Sequence, residues 1–122
     1  MLQAARLSKG QIEDQIGKEI IRFCLKYLGH GPREIKTYII EDIVVVRIID
    51  DLRSFEKALL VGNQDVDIET IKEIYRRMWE RYIGELSKII KQNTGSEIIC
   101  SHHDISTKTD ERVEVFILDS KF

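Results

Sequence analysis

The chain has 122 residues, 33% of them charged, with 19 Lys and Arg against 21 Asp and Glu for a formal charge of −2. That length supports one domain with a core of its own, so residues 1–122 are read as a single domain whose core runs from about 8 to 118. The charge balance excludes the basic field that binds nucleic acid. The apolar runs Ile43-Val44-Val45-Val46 and Ile98-Ile99-Cys100 fall far short of the roughly 20 residues that cross a bilayer, so no direct membrane insertion is expected. The start Met1-Leu2-Gln3-Ala4-Ala5-Arg6 lacks an apolar signal core, which predicts a cytoplasmic protein. Cys24 and Cys100 are far apart in apolar contexts and are expected as reduced core thiols.

From Ser8 to Leu28, Ile12, Ile16, Ile20, Phe23, Cys24 and Tyr27 recur at threes and fours, and Ser8 with Gln11 reads as a capping box, predicting a helix. Ile21, Leu25 and Leu28 widen its apolar arc, which predicts burial on more than one side. Gly29-His30-Gly31-Pro32-Arg33 then ends the helical period, because the glycines accept positive φ and proline disfavours helix in the residue before it. Ile35 to Ile40 and Ile43 to Ile49 are β-branched runs joined by Glu41-Asp42, a predicted hairpin. Its second strand is apolar on both faces, with only Arg47 interrupting, so both faces call for cover.

Asp50-Asp51 leads to a predicted short helix from about Ser54 to Leu60, closed by Gly62-Asn63. Asp67 is positioned to cap one long helix reaching about Gln92, whose face carries Ile68, Ile71, Tyr75, Met78, Trp79, Tyr82, Leu86, Ile89 and Ile90. Gly84 lies opposite that face and has no evident packing role. A second hairpin, Glu97 to His102 and Arg112 to Leu118, closes around the polar stretch from Asp104 to Asp110. The predicted fold is therefore α+β: a four-stranded antiparallel sheet made of two hairpins, with two long helices and one short helix packed on it. The surplus of apolar surface predicts a homodimer.

Three groups could carry chemistry. His102-His103-Asp104 resembles a metal cluster, but successive strand residues point to opposite faces, so no metal site is expected. No nucleophile accompanies His103-Asp104, so no catalytic residue and no enzyme activity are expected. Gly29, His30, Gly31, Pro32 and Arg33, with Lys36 beyond, form the candidate ligand-binding element, offering backbone N–H groups and a guanidinium to a small anion or nucleotide. A helix cap followed by a proline stop accounts for all of it except His30 and Arg33. The element is neither a P-loop nor a dinucleotide fingerprint, and no cofactor is expected. Arg76, Arg77 and Arg81 read as a solvated face paired with Glu73 and Glu85.

With these elements placed, the chain resembles the MpsC-like domain family, small soluble proteins named as components of a sodium-translocating, membrane-potential-generating system. The resemblance runs through Lys9-Gly10, Gly29-His30-Gly31-Pro32, Tyr38-Ile39-Ile40 and Val44-Val45-Val46. It continues in Leu52, Glu56, Leu59, Arg76, Thr94-Gly95, Asp104 and Val115-Phe116-Ile117-Leu118. The family usually has a basic residue in place of His30 and Thr in place of Arg53. The resemblance implies a non-catalytic accessory or regulatory protein with a membrane transport-complex subunit as partner, peripheral at the membrane only through that partner. The alternative from the residues is a stand-alone sensor of a small anion or nucleotide at Gly29 to Arg33.

Overall fold

The computed structural model describes residues 7–49, 68–106 and 108–122. The predicted short helix from Ser54 to Leu60, the Asp67 cap, and Leu52, Arg53, Glu56 and Leu59 lie outside the described residues. Helix α1 (Lys9–Phe23) begins at the predicted capping box: Ser8 Oγ accepts from the Gln11 amide at 3.1 Å, and Gln11 Oε1 accepts from the Ser8 amide at 2.9 Å. It buries Ile12, Ile16, Gly17, Ile20 and Phe23 on one stripe, then widens into a π-helical turn, Cys24–Leu28. The helix is covered on more than one side, by the sheet and by the other helices, while Leu25 in the π turn stays 55% exposed.

Strands β1 (Glu34–Ile40) and β2 (Ile43–Ile49) form the predicted hairpin, with Glu41 at φ 55° in its two-residue loop. The single long helix is two: α2 (Ile68–Arg81) and α3 (Ile83–Thr94) meet at Tyr82, whose amide is shared between the carbonyls of Met78 and Trp79. The bend lets the Tyr82 ring join Phe23 and Tyr27, at centroid distances of 5.7 and 4.8 Å, and it places Gly84 in the first turn of a new helix. Strands β3 (Ile98–Ser106) and β4 (Glu111–Leu118) form the second hairpin. Its loop is shorter than predicted because Asp104, Ile105 and Ser106 continue the strand, where Ile105 buries against Ile71 and Tyr75.

The strand order β1-β2-β4-β3 joins the hairpins through antiparallel β2 and β4. All the described helices lie on one face. Ile12, Ile16, Ile20 and Phe23 of α1 meet Ile39, Val44, Val46, Ile48, Phe116 and Leu118 of the sheet and Trp79, Leu86 and Ile90 of the other helices in one core. The faces of β4 are the reverse of what polarity suggests. Arg112 and Glu114 share the parity of Phe116 and point into the core at 1% and 2% exposure, while Val113, Val115 and Ile117 point out.

Candidate functional site

The loop at residues 29–33 does what a helix end requires. Gly29 sits at φ 81°, the left-handed cap conformation, after the π turn. His30 Nδ1 lies 3.4 Å from the Leu28 carbonyl oxygen, and Gly31 passes under Leu25 so closely that a Cβ there would stand 3.4 Å from its side chain. Pro32 leads the chain out, and the Arg33 amide donates to the Ile49 carbonyl at 3.1 Å, entering the sheet. The two cations do converge, but on a carboxylate: Arg33 Nη1 and Lys36 Nζ each lie 3.8 Å from an oxygen of Glu34. An incoming anion would compete with that carboxylate. Lys36 also lines a groove of about 480 Å³ between α1 and β1, which the loop itself does not reach.

The strand period separates the histidines as expected. His103 turns inward, its Nδ1 3.9 Å from Glu114 Oε1, whereas His102 is exposed on the other face with its Nε2 3.9 Å from Cys100 Sγ. Asp104 is held by Lys72 at 2.8 Å. Among the described residues no group of three or more His, Cys, Asp or Glu side chains converges on a metal position. The expectation that both thiols lie in the core holds for Cys24 and fails for Cys100, which faces out from β3 because the strand's inward positions there are taken by Ile98 and Ser101.

Sequence reasoning missed the ionic centre behind His103. Arg112 Nε lies 3.5 Å from Glu114 Oε2, and its guanidinium stacks 4.6 Å from the Trp79 ring centroid and 4.9 Å from that of Tyr75. The aromatic faces replace water around a charge that never deprotonates. Burial first, and then the Arg112 and Arg76 cations, hold the His103 imidazole below its ordinary pKa; Asp104 and Glu80 oppose them. The signal in the sequence was the shared parity of Arg112, Glu114 and Phe116 opposite an aromatic helix face.

The other large feature is the helix-free face of the sheet, the one on which none of the described helices packs. Tyr38 and Ile40 are 41% and 57% exposed, and Ile43, Val45, Ile49, Val113, Val115 and Ile117 are half-buried beside them. Among the described residues nothing packs over these side chains. One polar device interrupts the patch: Arg47 grips Glu111 across the strands through both Nε and Nη2, the latter at 3.1 Å. Glu111 raises the arginine's pKa, and the arginine lowers that of the carboxyl. Most antiparallel sheets turn polar residues to the uncovered side, so an apolar face of this size marks a contact surface.

The family model for the Na+-translocating membrane potential-generating system component MpsC matches residues 8–120. The chain belongs to the MpsC family. A relative, "Uncharacterized protein YbcI" of Bacillus subtilis (strain 168), is 35% identical over 111 residues, covering 91% of this chain and 88% of that protein. No solved structure matches. No helix among the described residues of this MpsC-family chain is long and apolar enough to cross a membrane.

Proposed function

We propose that this MpsC-family protein is a non-catalytic accessory or regulatory component of a membrane ion-translocating system, and that it acts by binding through the helix-free face of its sheet. The family description supplies the system. The observation that carries the mode of action is the apolar surface around Tyr38, Ile40, Val45 and Val115, which a freely solvated domain would not keep. The absence of catalysis in this reading is supported by the surroundings of His103, whose imidazole stands 3.9 Å from the buried Glu114 carboxylate and beside the Arg112 cation. In the free protein the same face pairs with a second copy, a self-complementary contact that keeps it from water until the membrane partner replaces it.

The test uses Val45 and Val115, which face each other across β2 and β4. A V45K/V115E double variant places opposite charges on neighbouring strands, which the sheet tolerates, while charging the contact surface. The tagged native chain is expected to co-purify with detergent-solubilised membranes of its host and to sediment as a dimer when alone. The double variant is expected to be folded, monomeric and absent from the membrane fraction. A native chain that is monomeric at high micromolar concentration and free of membrane proteins would overturn the proposal.

A further inference from the structure

The uncovered face is not the molecule's only opening. Among the described residues, the outer edge of β1 is occupied at one end and open at the other. At Ile39 the backbone is bonded by side chains of α1: the Ile39 amide donates to Glu13 Oε2 at 2.7 Å, and Lys9 Nζ donates to the Ile39 carbonyl at 3.0 Å. Together the carboxylate and ammonium occupy the places of a carbonyl and an N–H on a neighbouring strand. Because residues of an antiparallel strand alternate between its two edges, Thr37 and Ile35 aim their N–H and C=O the same way as Ile39. Neither of those backbone pairs has a hydrogen-bond partner among the described residues.

Beside them lies the groove of about 480 Å³, lined by α1 and by residues 35–38 of β1. Its floor is residues 35–38 of β1, whose side chains alternate between the two faces of the sheet; a cavity that touches all four opens at the strand's edge. Its wall is α1, where Gly17 presents no side chain and Ile21 offers an apolar surface. The ionic groups lining it are already engaged, Lys18 with Asp14 at 3.1 Å and Lys36 with Glu34. What the groove lacks is a backbone.

We propose that the groove between α1 and the edge of β1 binds an extended peptide segment of a partner protein, which adds to the sheet as a fifth strand along Ile35 and Thr37. Main-chain hydrogen bonds hold the segment, and its side chains on the α1 side rest against Ile21. The occupant is a lone extended segment and not a second copy of this chain. Helix α1 lies over β1, and paired edge strands stand about 4.8 Å apart, whereas two α1 helices brought together need about 8–10 Å. The Lys9 and Glu13 clasp sets the length of the site by closing it at Ile39. Of the apolar side chains on the helix-free face the groove shares only Tyr38, and the main-chain contacts of the segment lie at Ile35 and Thr37, so the V45K/V115E variant leaves those contacts in place.

The probe is a displayed library of random peptides of about a dozen residues, selected on the full chain. Selected peptides are expected to shift the amide resonances of Ile35 and Thr37, to protect them from hydrogen exchange, and to bind V45K/V115E equally well. A methyl on each peptide amide that faces β1 is expected to weaken binding about tenfold, since each removes one main-chain hydrogen bond. T37P removes an outward N–H that the β2 ladder does not use and is expected to abolish binding; the N-methyl series on the native chain decides the question where that variant does not fold. Peptides that leave both amides unmoved or ignore N-methylation, a selection that yields no binder, or protection of the same amides by self-association would each overturn the proposal.

Discussion

Replacing Gly17 and Gly84 separately by alanine tests whether α1 rests on β1 as tightly as described. Both glycines are helical, and alanine gains up to about 1 kcal/mol over glycine inside a helix. At Gly84 a Cβ meets nothing within 4 Å, so a first-turn share of that gain, about 0.5 kcal/mol, is expected as added stability. At Gly17 a Cβ would lie 3.2 Å from Ile35 Cγ2 and 3.3 Å from Thr37 Oγ1, on a strand held in register by β2. Forcing a methyl into packed surroundings costs about 1–3 kcal/mol, which outweighs the helix gain and leaves a net loss near 1 kcal/mol. The variants should therefore differ by about 1.5 kcal/mol. With a urea slope of about 2 kcal/mol per molar, their unfolding midpoints should separate by about 0.75 M, Gly84→Ala above the native chain and Gly17→Ala below it. Equal midpoints, or Gly17→Ala the more stable, would refute the close approach of α1 to β1.

Stability should fall as the pH drops below about 6.5, because the His103 imidazole is held below its ordinary pKa and the unfolded chain takes up that proton first. His103→Gln is expected to flatten this window. The separate acid limb remains, since Glu73 is held at about 2 by Arg76 and Arg77 and Asp104 and Glu111 are also lowered; their stabilisation is complete above the ordinary carboxylate range and disappears on further acidification. Unfolding midpoints across pH for both proteins check the two limbs. In the monomeric V45K/V115E variant Cys100 should react with a maleimide within minutes, whereas the fully buried Cys24 should label only after unfolding, as read by mass spectrometry. Arg112→Ala should cost about 3–5 kcal/mol in denaturant unfolding, because it strips the Trp79 and Tyr75 faces of their cation and leaves Glu114 charged in the core.

Local chemistry made much of the molecule legible in its sequence. The capping box at Ser8, the stop at Gly29, the hairpin around Glu41-Asp42 and the α+β architecture follow from periods, caps and turn residues that act within a few positions. The separation of His102 from His103 follows from the same period of two. Tertiary packing decided the rest. Nothing local states that the bend at Tyr82 will carry its ring to Phe23 and Tyr27, or that Leu25 will stay in solvent. A period of two also names two faces without saying which is inside. The long helix's aromatics drew Arg112 and Glu114 inward and turned Val113, Val115 and Ile117 out, because a guanidinium covered by indole and phenol rings can be buried with its carboxylate. Nor does anything local state that α1 will bond the outer edge of β1 at Ile39, a contact between groups 26 and 30 residues apart, and that among the described residues it leaves Ile35 and Thr37 without one.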